Sequence, residues 1–337
     1  MLFSSGYAAK VATLCTLGRK IPNLVILSDK FNHPSMIEGI RNSKSAKLIF
    51  EHDSMTDLEA KLASIPVSQP KIIAFESVYS IYGSIAPIDR ICDLAKQYGA
   101  LTLVNEVHGV GIYGRRGGGI TDHLDWSSPE STQLGVVPRV DIIVGSLAKA
   151  FGNIGGYVVG SAKFVNILRS FALEFKFTTT LPPHVIAGAT AAVELLKCDS
   201  SQRIAHQHAV RKTKLLLRDL DIPVISGPSH IVPVHIGNAE LANAITDKLL
   251  VEDGIYIQAI NYPAVAVGGE RLRITPTPLH TDESIERLGS LLTAIWKELK
   301  VPTLSECVKG SEGQDRDRWE SIKQIWTDEQ LMTKTSD

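Results

Sequence analysis

Lys149 is the residue with the most chemistry open to it. It stands in Val140–Gly156, VDIIVGSLAKAFGNIGG, just after the apolar run Ile142, Ile143, Val144 and beside Ala148, Ala150 and Gly152, so little bulk surrounds its amine. A planar cofactor or a carbonyl substrate could approach such an amine, which is what Schiff-base chemistry requires. A surface lysine at a strand-to-loop junction is the plain alternative, and the neighbouring segments weigh against it. Lys71–Phe75 (KIIAF) runs into Glu76, Ser77 and Ser80, Leu101–Val104 (LTLV) runs into Asn105, Glu106 and His108, and the run before Lys149 ends in Ser146. Each alone could be turn chemistry or helix capping. Three apolar runs that all deliver polar groups at their carboxyl ends describe the edge of an open α/β sheet where ligands bind. A fourth run, Leu24–Leu27, leads to a loop holding Asn32, His33 and Pro34, where the histidine alone reads first as a solvated or capping residue.

The elements that must position these groups follow from periodicity. Short continuous apolar runs are the pattern of parallel strands covered on both faces. Between them, helices are predicted over 35–42, 57–65 and 88–98, and again from Ala162 and over 184–196. This alternation predicts an α/β fold with a mainly parallel central sheet and helices on both faces. The glycines at 109, 111, 114, 117, 118 and 119 invite a phosphate-loop reading, but strand, G-x-G-x-x-G and helix do not follow in the required order. A flexible surface loop is expected there, with an exposed insertion over 121–139. FTTTLPP, residues 177–183, is either a strand end before a helix or a set of hydroxyls suited to a phosphate. From Ser201 a basic helix to Leu217 and short strands at 223–225 and 231–236 predict a smaller α+β lobe. Within it Arg271 and Arg273, two apart on the run RLRIT, point to one side of a strand, as exposed arginines or as a carboxylate clamp. Charged residues with Trp319 and Trp326 predict a helical appendage, so the expected domains are 1–200, 201–300 and 301–337. The opening stretch, with no acidic residue before Asp29, has a transit-peptide composition. It also reads as a strand end, a turn at Gly6 and an amphipathic helix, and the structural reading is preferred.

Composition sets outer bounds. With 337 residues, 44% of them hydrophobic, the chain can bury a full core and is expected to form two lobes. A formal net charge of −1 leaves no electrostatic footprint for nucleic acid or an anionic membrane. Cys15, Cys92, Cys198 and Cys307 lie far apart without metal-ligand spacing, as reduced thiols do, and no metal is expected. No apolar run reaches the length of a membrane span.

Eight segments together carry a resemblance: NHPSMIEGI, AFESVYS, VNEVHGVGIYG, GSLAKAFG, FTTTLPP, SHIVPV, GIYIQAINYP and RLRITPTP. In this order and spacing they resemble the 5-aminolevulinate synthases, members of the pyridoxal-phosphate-dependent α-oxoamine synthases with the fold-type I, class II aminotransferase-like architecture. The resemblance covers nearly all of the chain to about residue 300. It implies pyridoxal 5'-phosphate as cofactor, with residues 1–200 as the large cofactor-binding domain. Lys149 would hold the cofactor covalently and, with His108, serve catalysis; His33 would stack on its ring, and Ser80, Asn105 and His108 would surround the pyridine and its oxygen. Gly6, Tyr7 and Ser146 would lie near the phosphate, and Thr179 would reach the phosphate of a neighbouring subunit in a homodimer with shared sites. Arg273 would hold the carboxylate of glycine. The implied reaction condenses glycine with succinyl-coenzyme A, an acyl-CoA, to 5-aminolevulinate, carbon dioxide and coenzyme A, a step toward tetrapyrroles and heme. Eukaryotic members work in the mitochondrial matrix, and a chain without a presequence would be cytoplasmic. The sequence departs from the family where Asn105 replaces an aspartate, Ser146 a threonine and Pro34 an alanine, and the match begins inside the family's large domain. Two alternatives remain open: a weakly active partner subunit, and a related enzyme transferring another acyl or amino group.

Overall fold

In the computed structural model the described chain divides into two units, one built from Met1–Tyr79 and Ala86–Ser200, the other from Ser80–Ile85 and the described residues from Ser201 to Met332. The structure describes residues 1–127, 135–310, 316–319 and 322–332.

The first unit alternates strand and helix: β1 (Leu2–Phe3), α1 (Gly6–Lys20), β2 (Val25–Asp29), α2 (Pro34–Ser43), β3 (Ala46–Phe50), α3 (Met55–Ala63), β4 (Lys71–Glu76), α4 (Ile88–Tyr98), β5 (Leu101–Asn105), α5 (Ile120–Ser127), β6 (Ile142–Ser146), β7 (Gly156–Val159), α6 (Ala162–Phe171), α7 (Leu173–Lys176) and α8 (Pro183–Cys198). The sheet runs β1-β7-β6-β5-β4-β2-β3. Strands β2 to β6 are mutually parallel, while β7 and β1 pair antiparallel at one edge. β2 and β4 are buried along their whole length, as their unbroken apolar runs require. Ile26, Ile72, Ala74, Leu103, Ile142 and Val144 form the floor of a core roofed by Ala9, Ala12, Leu14 and Leu17 of α1 and by Met36 and Ile40 of α2. α1 and α2 lie close because Gly39 has no side chain: a Cβ there would stand 3.0 Å from Leu14 Cβ and 3.1 Å from Val11 Cα. The register sets Glu76 opposite Asn105, and Asn105 opposite Val144, so the polar strand ends share one edge of the sheet.

The opening stretch folds as β1 and α1, and α1 packs into the core of the first unit. Ser5 caps α1, its Oγ accepting the Ala8 N–H at 3.0 Å. The glycine-rich segment corrects the expectation of a flexible surface loop. Gly109, Gly111, Tyr113, Gly114, Gly117 and Gly119 are buried, and Gly111 N–H donates to Gly117 O while Gly119 N–H donates to Tyr113 O. The expected exposed insertion is likewise corrected at its start, where Thr121 and His123 of α5 are buried; residues 128–134 lie outside the described residues.

The second unit holds α9 (Ser201–Asp219), β8 (Val232–His235), α10 (Ala239–Asp253), β9 (Gln258–Ile260), β10 (Arg271–Ile274), α11 (Asp282–Leu299), α12 (Leu304–Gly310) and α13 (Asp328–Met332). Its sheet is antiparallel, β8-β10-β9. Leu217, Val234, Ile245, Leu272, Leu292 and Trp296 fill the core between that sheet and its helices. Residues 223–225 form no strand but a single bridge, Val224 to Val234, because Pro223 has no N–H to extend a ladder. Trp319 and Trp326 are buried. No helix among the described residues is long and apolar enough to cross a membrane, and no group of three or more His, Cys, Asp or Glu among them is placed to hold a metal ion.

Candidate active site

Two glycines let α1 rest its N-terminus on β6 and β7. A Cβ on Gly6 would stand 2.8 Å from Ser146 Cβ, and one on Gly156 would collide with Ser5 O and Gly6 N. The first N–H groups of a helix have no partner within it and favour an anion. Gly6, Tyr7 and the Ser146 hydroxyl thus converge at one place. Ser146 Oγ accepts the Ala148 N–H at 3.1 Å and donates to Gly155 O at 3.3 Å, which ties it to the loop carrying Lys149. That loop closes on itself through Leu147 N–H to Gly155 O and Gly152 N–H to Lys149 O, and it rests on a small core of Leu147, Leu181, Val185 and Ala189. The Lys149 side chain itself is exposed.

A second lysine, Lys10, is buried on α1 one turn after Gly6. The Glu76 carboxyl, buried at the end of β4, lies within electrostatic reach of it. Burial pushes Glu76 up to about 7, while Lys10 and the His33 N–H act to lower it. Burial brings Lys10 down to about 8, opposed by Glu76 and aided by the like charge of Lys149. Glu76 Oε1 accepts the backbone N–H of His33. His33 is the N-cap of α2: its Nδ1 accepts the Ser35 N–H at 3.1 Å, and Pro34 occupies the first turn, where the missing N–H costs nothing. Burial, then Lys10 and Lys149, hold the imidazole down to about 4, so it is neutral at pH 7. With Nδ1 accepting, the ring proton sits on Nε2. The plain capping reading of His33 is therefore correct, and it leaves an uncharged ring.

Asn105 is buried at the end of β5, where its Oδ1 accepts the Val107 N–H at 3.3 Å. His108 follows, half-buried. The neighbouring Glu106 points the other way and anchors the glycine-rich segment. It accepts from Ser77 Oγ at 2.6 Å, Thr121 N–H at 2.9 Å, Thr121 Oγ1 at 3.0 Å and Ile120 N–H at 3.2 Å. Thr179 is exposed and lines a hollow of about 160 Å³ with Leu2, Phe3, Phe175 and Ile186. Ser80 and Arg273 belong to the second unit, where Arg273 donates to Ser80 O at 3.2 Å and to Gln258 Oε1. Arg271 lies over the Tyr82 ring at 4.9 Å. The structure thus brings Gly6, Tyr7, Ser146 and Lys149 together, sets His33 after β2 and Asn105 at the end of β5, with β4 between those strands, and pairs Ser80 with Arg273. Sequence reasoning passed over Lys10, although its place four residues after Gly6 on an amphipathic helix puts both on one face.

The family model described as aminotransferase class I and II matches residues 1–292. The chain belongs to the class I and II aminotransferase family. Within this family the chain is 52% identical over 336 residues to the mitochondrial 5-aminolevulinate synthase of Neurospora crassa, covering 98% of this chain and 53% of that protein. It is 46% identical over 351 residues to the mitochondrial 5-aminolevulinate synthase of Saccharomyces cerevisiae, covering all of this chain and 64% of the relative. The chain therefore spans about half the length of the first of these relatives. Among solved structures, the serine palmitoyltransferase of Sphingomonas wittichii superposes with a TM-score of 0.82 at 28% identity, over 90% of this chain and 73% of that one. The fold is that of the fold-type I transferases, as expected.

Pyridoxal phosphate fits the residues present at most of its expected contacts. The α1 N-terminus with Ser146 suits the phosphate, Lys149 offers an accessible amine, and His33 offers a neutral ring face. At position 105 the fit is neutral rather than ionic, because an amide stands where a carboxylate would neutralise a pyridinium.

Proposed function

We propose that this chain condenses glycine with succinyl-coenzyme A to 5-aminolevulinate, carbon dioxide and coenzyme A, with pyridoxal 5'-phosphate as cofactor. The observation that carries this reading is the placement of Lys149 on the loop that Ser146 joins to the N-terminus of α1. When bound, the cofactor supplies an electron-withdrawing ring that stabilises negative charge at the substrate Cα. Gly6, Tyr7 and Ser146 bind the phosphate. Lys149 would hold the cofactor through Nζ, and its amine would move the proton at the glycine Cα. His33 presents its neutral face to the ring, and Asn105 and His108, with Ser80, offer hydrogen bonds at its edge. Arg273 takes the glycine carboxylate bidentately through guanidinium donors.

The assembly proposed is a homodimer in which Thr179 reaches the neighbouring subunit's phosphate. Supporting it, α8 is rich in apolar residues yet buries only Val185 and Ala189, leaving Ile186, Val193 and Leu195 exposed. The mitochondrial matrix is the proposed location, in keeping with the names of the relatives.

The purified chain mixed with pyridoxal phosphate is expected to show a visible absorbance band that Lys149→Ala lacks, and to form 5-aminolevulinate from glycine and succinyl-coenzyme A. No band in the unmodified protein overturns the reading.

A further inference from the structure

The end of β3 meets the turn between β2 and α2 through contacts of several kinds. Lys30 N–H donates to Phe50 O at 3.0 Å, and the Lys30 ammonium lies 2.9 Å from the Glu51 carboxylate at the surface. His52 follows, its side chain only 13% exposed, between two aspartates. Its Nδ1 is 3.1 Å from both carboxylate oxygens of Asp29, the last residue of β2, and its Nε2 is 3.2 Å from Asp53 Oδ2. A carboxylate only accepts, so an imidazole with one carboxylate at each nitrogen carries a proton on both and is a cation. Burial opposes that charge, but the hydrogen bonds to Asp29 and Asp53 prevail and raise His52 to about 9. The Phe31 ring lies against the imidazole at 4.7 Å, and the Tyr79 ring meets it nearly perpendicular at 4.3 Å. His52 thus reaches the turn twice, through Asp29 at its start and through Phe31 in its middle. Asp29 Oδ1 also accepts the Phe31 N–H at 2.8 Å, and Asp29 O accepts the Asn32 N–H at 3.2 Å, so the carboxylate that pairs with His52 is the one that shapes the turn. The next residue is His33.

We infer that His52 is a positioning residue: held between Asp29 and Asp53, it fixes the turn Asp29–Asn32 and with it the placement of the His33 ring. At its far end the turn is fastened by Asn32 Nδ2, which donates to Ser28 Oγ at 2.9 Å and to Ala74 O at 2.7 Å, and by His33 N–H, which donates to Glu76 Oε1. At its near end the fastening is the Asp29 carboxylate, which is 3% exposed. A buried carboxylate that loses its cationic partner either takes up a proton or swings toward water. Both outcomes weaken its bond to the Phe31 N–H, because a charged acceptor is held roughly twice as strongly as a neutral one. The turn then gains freedom immediately before the residue that caps α2. What the His33 ring does toward a cofactor rests on the proposed function; the clasp of His52 on the turn does not.

The clasp is tested on cofactor-free protein by hydrogen exchange read by mass spectrometry, comparing a peptide over residues 29–33 with one over the buried strand β5. His52→Phe keeps an aromatic ring and removes both N–H donors. Asp53→Asn removes only the carboxylate at Nε2, at a residue whose φ of +56° asparagine also accepts. His52→Phe is expected to speed exchange over 29–33 by about tenfold and Asp53→Asn by about threefold, with β5 unchanged in both. Unchanged exchange over 29–33 overturns the clasp, and an equal rise in both peptides overturns the positioning role, since it reports lost stability of the unit alone. If His52→Phe does not fold, Asp53→Asn carries the same outcomes. Pyridoxal phosphate is then titrated in. His33→Asn, which keeps a capping side chain, is expected to weaken its binding in the unmodified background and to weaken it less in His52→Phe or Asp53→Asn, because His52 acts through His33. A His33→Asn effect of equal size in both backgrounds, zero included, overturns the positioning role. If no absorbance band forms in the unmodified protein, the proposed function fails while the exchange result stands.

Discussion

An amide at position 105 can do one of the two things a carboxylate would do there. Asn105 Oδ1 holds the Val107 N–H and so keeps the strand end in shape, but it carries no charge for a pyridine nitrogen. If the missing ion pair is worth about 3–5 kcal/mol and is felt mainly in the transition state, turnover is lower by on the order of 10²–10⁴. Asn105→Asp is therefore expected to raise kcat by that order in the glycine and succinyl-coenzyme A assay. The same change sets a second buried carboxylate in register with Glu76. Like charges side by side on one sheet face repel. The cofactor-free Asn105→Asp protein is thus expected to melt below the parent, and the gap to close on adding pyridoxal phosphate. A variant with unchanged kcat would place the cofactor's pyridine elsewhere.

At the scale of elements, the strands and their polar ends were legible because a buried parallel strand leaves an unbroken apolar run, as in Lys71–Phe75 and Leu101–Val104. The helix Ile88–Tyr98 was legible to the residue, since Pro87 precedes it and Gly99, at φ +64°, ends it. The glycine-rich segment was not, because what holds it is tertiary. Glu106 reaches across to Ser77, Ile120 and Thr121, and Gly109 and Gly119 are glycines because a Cβ at either would strike the Glu106 carboxylate. Nothing in the local pattern announces that contact. Lys10 was missed for a related reason: periodicity shows that a helix has a face, but only the packed sheet shows what that face meets. All the groups bonded to Glu106 are donors, so Glu106→Gln turns an amide N–H₂ toward at least one of them. A loss of about 3 kcal/mol is expected by denaturant titration, accompanied by faster proteolysis within residues 109–120. A variant as stable as the parent would mean the segment is held by its own backbone bonds.

Across the whole molecule, the most conspicuous surface is the uncovered side of α8 with Phe177 beside it. Light scattering is expected to give a dimer mass for the chain. Val193→Asp with Leu195→Asp is expected to give monomers with weakened pyridoxal phosphate binding, while the monomer's own core, which these residues leave untouched, keeps its fold. Dimers that persist in this variant would move the interface away from α8. The path of the chain has a consequence of another kind. Ser80–Ile85 belongs with the second unit although Tyr79 and Ala86 belong to the first, so among the described residues the chain passes between the units three times. A fragment starting at Ser201 would lack Ser80 O for Arg273 and the Tyr82 ring for Arg271. On the ribosome that six-residue excursion emerges long before the β10 arginines it will meet. The excursion therefore waits for its partners while the rest is synthesised, and dissecting this protein into autonomous pieces calls for re-stitching the chain rather than cutting it.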